Sequence, residues 1–141
     1  MELLLLNAAA VLALTGIIWF VQVVHYPLFA RVGDGAWDAY HREHSRRTTR
    51  VVIAPMCVDL VTSLALVVER PPEIAGAVAV AGALLAVASW VVTGVLAVPT
   101  HRALGDGWNA ALGRRLVGAN WLRTAAWSAH AVLVLGMLAA T

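Results

Sequence analysis

The sequence contains no lysine, a single cysteine and few charged residues of either sign. Of its 141 residues only 13% are charged, whereas 61% are hydrophobic. Such a composition cannot cover the surface of a water-soluble domain with polar groups. The lone Cys57 excludes a disulfide framework within the chain and is expected to be a small buried hydrophobe. No basic, aromatic-interleaved module is present, so we expect no nucleic-acid partner.

Four apolar runs are each long enough to cross a bilayer, which requires about 20 residues. They cover residues 3–28, 48–68, 74–98 and 116–139. The first run is too long for a secretory signal, lacks a basic leading segment and contains Gln22 and His25. We therefore predict an all-α polytopic membrane protein in which residues 1–141 form a single transmembrane domain, a bundle of four helices whose partner is the lipid bilayer.

Arginines are concentrated in the first and third connections between these runs. The second connection has one arginine and the two termini have none. Basic residues are retained on the cytoplasmic side of a membrane. We therefore predict a multi-pass protein of the cell membrane, with both termini outside and the loops rich in arginine and histidine in the cytoplasm.

The two halves of the chain share a spaced pattern. Pro27 and Pro99 are each followed six residues later by Gly-Asp-Gly and then by a tryptophan, and an Arg-Thr pair opens the next helix in both halves. We interpret this pattern as a tandem repeat of a two-helix hairpin. The prolines should end the odd-numbered helices, and each Gly-Asp-Gly should form a turn before a short amphipathic piece at the membrane interface, residues 37–46 or 108–115.

Each apolar run carries one stripe of polar or aromatic side chains at helical spacing. Lipid would penalise these stripes, so we expect them to turn inward and meet. The stripes comprise Thr15, Trp19, Gln22 and Tyr26 with His25 beside them, then His41, His44, Thr48, Pro55, Asp59 and Thr62, then Trp90, Thr93 and His101, and finally Asn120, Arg123, Trp127 and His130.

Asp59 should lie near the middle of the bilayer. It follows Arg50 by nine residues, which is about 13 Å along a helix. A charged side chain at that depth costs at least about 2.5–3.5 kcal/mol, so Asp59 should be protonated, paired or hydrated. His130 reaches a comparable depth and is the basic partner that we predict, either as part of the chemistry or as a structural contact between helices.

Four of the five histidines, His25, His41, His44 and His101, lie near the arginine-rich connections. Neutral imidazoles can bind zinc, copper, iron or a haem, and His41 and His44 have the spacing to reach one ion from a helix. A histidine can instead act as acid or base near neutral pH. The sequence leaves three roles open: metal or haem ligands, acid–base groups, and interfacial residues without chemistry. The cofactor is accordingly a metal ion, a haem or none.

Arg123 stands in the segment Asn120-Trp121-Leu122-Arg123-Thr124, where the fourth helix enters the membrane. It shares a helix face with Asn120, Trp127 and His130, so it should point into the bundle rather than extend to lipid headgroups. There it could clamp a carboxylate, phenolate or phosphate, and with Asn120 it could stabilise a developing oxyanion.

This segment, together with His25-Tyr26-Pro27-Leu28-Phe29 at the end of the first run, resembles small four-helix bacterial membrane proteins. The Asn-Trp-x-Arg-Thr motif is similar to that of the anthrone oxygenase-like family. That resemblance covers about ten residues and implies oxygenation of polycyclic aromatic polyketides without an obvious cofactor.

A second resemblance is to the HemJ-type protoporphyrinogen oxidases, which are small four-helix haem proteins. The similar parts are Tyr26-Pro27-Leu28-Phe29 and residues 46–55. That family relies on a lysine in its third span and a histidine early in its first span. This chain has neither, so the resemblance to the anthrone oxygenase-like family is preferred.

These observations predict a small membrane enzyme, an oxidoreductase, an oxygenase or a related acid–base enzyme, acting on a lipophilic polyketide, aromatic or isoprenoid substrate. The polar cavity should open toward the cytosol. The rivals are an oligomeric transporter or channel and an accessory subunit, and the chain could form a homo-oligomer. The predicted catalytic residues are His41, His44, Asp59, Arg123 and His130; the substrate-binding residues are Trp19, Gln22, Tyr26, Trp90, Asn120 and Trp127; and the candidate metal ligands are His25, His41, His44 and His101.

Overall fold

Four long helices make up almost the whole molecule. The computed structural model describes residues 1–141 and contains no β-strand. Each of the four helices is long and apolar enough to cross a membrane, as expected of a multi-pass membrane protein, and this confirms the predicted all-α architecture. They are α1 (Glu2–Arg31), α2 (Asp34–Glu69), α3 (Gly76–Leu104) and α4 (Ala110–Ala140).

The helices form a ring-like bundle in which each contacts its two neighbours. α1 packs against α2 and α4, and α3 packs against the same two helices. With short connections, this is an up-down-up-down four-helix bundle. The α1–α2 and α3–α4 connections therefore lie at one end, which we call the arginine-rich end, and the α2–α3 connection lies at the other end with the two termini.

The apolar core is divided into three layers along the bundle. Beside the termini, Leu4, Leu66 and Val134 are fully buried. Leu14 and Met56 pack with Trp127 in the middle layer, and a third cluster fills the arginine-rich end. Many leucines and valines point outward instead, as expected for helices in lipid. Cys57 is also exposed, so its expected burial is wrong.

Both odd-numbered helices continue through the proline that was expected to end them. Val21–His25 and Thr93–Ala97 are π-helical segments, and a proline follows each segment by two residues. Proline lacks an N–H group, and its ring crowds the carbonyl of the residue four positions earlier. A wider π turn accommodates both effects without ending the helix. α1 and α3 therefore extend to Arg31 and Leu104, which carries His101 into the bundle on α3.

α2 runs without interruption through Pro55, so residues 37–46 form its first turns rather than a separate interfacial piece. The indole Nε1 of Trp37 donates a hydrogen bond to the Leu104 carbonyl over 2.8 Å and joins the start of α2 to the end of α3. This continuity keeps the predicted stripe on one face. The inward orientation is confirmed for His41, His44, Asp59 and Thr62 on α2 and for Asn120, Arg123, Trp127 and His130 on α4.

Asp59 is the centre of a buried polar cluster between the middle layer and the termini. Its Oδ2 accepts a hydrogen bond from Trp127 Nε1 over 3.1 Å, and its Oδ1 accepts one from Ser63 over 3.1 Å. His130 Nδ1 lies 3.4 Å from Oδ1, so the predicted Asp59–His130 contact is present. Asn7 of α1 donates hydrogen bonds to the hydroxyl groups of Ser63 and Thr62 over 2.9 and 2.8 Å.

Gly82 of α3 provides the space that His130 occupies. A Cβ atom at position 82 would lie 3.1 Å from His130 Nε2 and 3.7 Å from the Met137 methyl group. The first distance is shorter than ordinary van der Waals contact. The missing side chain at position 82 therefore allows the imidazole to reach Asp59.

We expect Gly82→Val to displace His130 from Asp59 and to destabilise the bundle by about 1–3 kcal/mol, the usual cost of overpacking a buried site. Thermal unfolding of the purified protein in detergent measures this loss. Gly118→Val on α4 is the matched control, because no atom lies within 4 Å of a Cβ at that position. Equal destabilisation by the two substitutions would contradict the proposed packing.

Candidate functional site

A cleft of about 600 Å³ lies between α2 and α3 near the arginine-rich end. We call it the histidine cleft. Apolar side chains of Val52, Ala97 and Val98 form part of its wall. The wall also contains five of the residues predicted from the sequence, namely Tyr26, His41, His44, His101 and Arg123.

Three of these side chains form a hydrogen-bonded chain. The hydroxyl of Tyr26 lies 2.9 Å from His101 Nε2, and His101 Nδ1 lies 3.2 Å from His41 Nε2. A neutral imidazole has one donor and one acceptor nitrogen. His101 can therefore accept a proton on one side of its ring and release one on the other. We call Tyr26, His101 and His41 the relay.

The other two histidines form a separate pair. His25 Nε2 lies 2.7 Å from His44 Nδ1, and the Thr48 hydroxyl lies 3.1 Å from the same nitrogen of His44. The imidazole ring of His44 also lies 5.5 Å, centroid to centroid, from that of His101. The four histidines that lie near the arginine-rich connections in the sequence are thus brought together, as two hydrogen-bonded pairs side by side.

The paired arrangement bears on the metal hypothesis. His25, His41, His44 and His101 direct ring nitrogens at one another or at Tyr26. No group of three or more His, Cys, Asp or Glu side chains is arranged to hold a metal ion. A metal or a haem ligated by these residues would require their rings to turn, and this role stays a prediction.

Arg123 is buried in the wall of the cleft without a carboxylate partner. Its side chain is only 7% exposed, and none of the ion pairs in the structure includes it. Its Nη1 donates a hydrogen bond to Asn120 Oδ1 over 3.3 Å, whereas its Nε has no hydrogen-bond partner. A buried cation without a counter-charge is costly. An anionic group that reached Arg123 would offset this cost.

Three predicted substrate-binding residues support Arg123 from behind rather than line the cleft. Asn120 Nδ2 donates a hydrogen bond to Gln22 Oε1 over 2.8 Å, which orients the amide oxygen that Arg123 contacts. The guanidinium carbon lies 5.1 Å from the centre of the Trp127 ring, within cation–π distance. Gln22, Asn120 and Trp127 are positioning residues for the guanidinium.

Trp19 and Trp90, which were predicted to bind the substrate, do not line the histidine cleft. Trp19 is 44% exposed and donates a hydrogen bond to Ser128 at the outer edge of the α1–α4 contact. Trp90 donates one to the Met56 carbonyl and packs against the middle core layer. On a helical wheel, the sector that includes these two indoles is wide enough to reach from the bundle interior to the outer edges of the contacts between helices. Position within that sector was therefore not enough to place the indoles in the cavity.

Asp59 and His130, predicted to be catalytic, lie outside the cleft. They belong to the buried polar cluster, and the Trp127 indole lies between that cluster and Arg123. Their contacts are with other side chains of the bundle and not with the cavity.

The cleft also contains residues that were not predicted to act there. Thr48 and Thr93 line the cleft. In the sequence, only their place in the inward-facing stripes indicated that they would lie inside the bundle. Arg42 and Arg102 line the cleft beside His41 and His101, and nothing in their spacing distinguished them from the other arginines.

We expect Asn120→Ala to cost about 1–3 kcal/mol of stability, because it leaves buried groups of Arg123 and Gln22 without a partner. Asn120→Asp should be close to wild type, since a carboxylate pairs with Arg123 and the Gln22 amide can flip to donate a hydrogen bond to it. Thermal unfolding in detergent compares the two. If Asn120→Ala is as stable as wild type, the support for Arg123 is misassigned.

The site thus combines an unpaired buried cation, a hydrogen-bonded chain of one tyrosine and two histidines, and an apolar wall in one cleft. None of these features alone identifies a reaction. In comparisons with known proteins, no family model, curated protein or solved structure matches the chain.

Proposed function

We propose that the chain is a membrane-embedded acid–base enzyme of oxidoreductase or oxygenase type. Its substrate is a lipophilic compound with a weakly acidic hydroxyl group, such as the phenol or enol of an aromatic, polyketide or isoprenoid molecule. The observation that carries the proposal is the buried Arg123 guanidinium, which has no ion pair and shares a cleft with the Tyr26–His101–His41 relay.

The cleft suits a substrate with one polar end. The apolar part of the molecule lies against Val52, Ala97 and Val98, and its oxygen faces Arg123. The planar guanidinium stabilises the negative charge that appears when this oxygen loses its proton. A neutral phenol gains less from the same contact, so Arg123 favours the deprotonated form.

The relay provides a path for the proton. Tyr26 accepts it from the substrate as its own hydroxyl proton passes to His101 Nε2, and His101 Nδ1 then passes a proton to His41 Nε2. Each group gives up one proton and receives one, so the charge left in the cleft is the substrate anion beside Arg123. His41 then releases its proton at the mouth of the cleft.

Deprotonation prepares the substrate for oxidation, because a phenolate or an enolate gives up electrons more readily than its conjugate acid. In the reaction implied by the resemblance to the anthrone oxygenase-like family, dioxygen is the oxidant. A methylene carbon of the substrate becomes a carbonyl, and the second oxygen atom leaves as water. The chain's own residues hold the anion and move its proton.

The proposal includes the cytoplasmic location of the arginine-rich end, where positive charge is retained, so that the cleft opens to the cytosol. It also includes the tandem repeat of a two-helix hairpin. The π-helical segments support the repeat, since each ends two residues before the proline of its half.

We expect purified protein in nanodiscs to bind 1-naphthol and to shift it toward the naphtholate, which absorbs at longer wavelength. Arg123→Ala should reduce the bound naphtholate at least tenfold, because the anion loses its counter-charge. Arg114→Ala, which removes an exposed arginine of the same helix, is the matched control. Equal spectra for the two variants would refute the assignment of Arg123.

We expect Tyr26→Phe to slow naphtholate formation at least tenfold while it changes the naphthol dissociation constant by less than threefold. The substitution removes the first oxygen of the relay but retains the aromatic ring and the Arg123 guanidinium. Stopped-flow absorbance separates the rate from the affinity. A loss of affinity with an unchanged rate would show that Tyr26 binds the substrate and does not relay its proton.

A further inference from the structure

A second cavity lies on the opposite side of His44 from the histidine cleft. It is a groove of about 390 Å³ between α1 and α2, within the size range of small-molecule sites. Ile17, Phe20 and Val51 contribute to its apolar wall, while His25 and Tyr40 lie nearer the arginine-rich end. We call it the α1–α2 groove.

The groove and the cleft share one wall. His44, Thr48 and Val52 line both cavities, whereas His25 lines the groove alone and His101 lines the cleft alone. The hydrogen bond between His25 and His44 therefore leads from the groove into the partition between the two cavities. Two ligands bound at the same time would be separated by little more than one imidazole.

The two cavities differ in charge. Glu43 and Arg47 line the groove, but Glu43 binds both Arg46 and Arg47, so the arginine at this site already has a carboxylate partner. In the cleft Arg123 has none. The cleft therefore favours an anion, whereas the groove favours an uncharged ligand.

His25 supplies the polar contact in the groove. It binds His44 through Nε2, and its Nδ1 makes no hydrogen bond within the protein. When Nδ1 carries the hydrogen, it can donate to a ligand carbonyl. The groove thus combines an apolar wall, an arginine that already has a carboxylate partner and one imidazole nitrogen that can donate or accept.

We propose that the α1–α2 groove binds a lipophilic quinone. A quinone is uncharged and planar, dissolves in the bilayer and has carbonyl oxygens that accept hydrogen bonds. This inference rests on the proposed oxidoreductase function and gives it an oxidant in place of dioxygen: the cleft substrate loses two electrons and two protons, and the quinone takes up two electrons and two protons and becomes a quinol. The binding site itself requires only the groove.

The His25–His44 pair couples the two sites. When a quinone accepts a hydrogen bond from His25 Nδ1, His25 Nε2 accepts one from His44 Nδ1, and His44 Nε2 is left as a free base. When a quinol hydroxyl donates to His25 Nδ1, the pair reverses and His44 Nε2 carries a proton. His44 therefore presents a base in the wall of the cleft only while the oxidised ligand is bound.

The test of the site uses decylbenzoquinone and purified protein in nanodiscs, with binding measured by equilibrium dialysis. Wild type should bind the quinone saturably, and Val51→Trp should weaken binding at least tenfold by filling the groove. Val61→Trp is the matched control, since both valines are exposed on α2, by 59% and 64%, and Val61 lies away from the groove. Decanoate, which has a similar chain but a negative charge, should not compete.

Several outcomes would overturn the proposal: no saturable binding, equal affinities for the two tryptophan variants, or competition by decanoate. Arg123→Ala should bind the quinone as wild type does, so a failure of the cleft assignment is distinguishable from a failure of the groove. For the coupling, bound quinone should raise the naphtholate fraction in the cleft above that seen with the quinol. His25→Ala should abolish the difference, and a difference that survives this substitution would refute the coupling.

Discussion

The bilayer interior offers no water to a polar side chain, and this constraint organises the whole molecule. Most polar side chains on the four helices either lie near an end of the bundle or find a partner inside it. The Asp59 cluster meets the constraint with contacts from α1, α2 and α4. The missing side chain at Gly82 of α3 admits the remaining member, His130. The cluster thus joins α1, α2 and α4, while α3 contributes the space that His130 occupies.

Against this background Arg123 stands out. The carboxylate of Asp59 has three polar neighbours, yet the one deeply buried arginine has no carboxylate and one nitrogen without a partner. Its supporting residues, Asn120 and Gln22, hold it in place without neutralising it. A contact network that orients a charge and leaves it uncompensated is typical of a binding site. The Asp59 cluster, whose polar side chains contact one another and line no cleft, is better explained by stability.

The partition formed by His44, Thr48 and Val52 gives the small bundle two distinct environments. One cavity has an unpaired guanidinium, and in the other the arginine is already paired with Glu43. A single imidazole borders both. Each neutral imidazole has one donor and one acceptor nitrogen. A different ligand in one cavity therefore changes whether His44 offers a donor or an acceptor to the other cavity, and no helix has to move.

The sequence by itself determined the four helices and the inward face of α2 and α4, because hydrophobic length and helical period are local properties that lipid enforces. It also identified Arg123 and the four clustered histidines as candidate site residues, and it predicted the Asp59–His130 contact. The π turns before Pro27 and Pro99, the outward position of Trp19 and the part played by Asn7 were decided only in the tertiary structure. The pairing of the histidines was also decided there. All of these features depend on which neighbouring helix packs at a given position, and that packing is set by residues far apart in the chain.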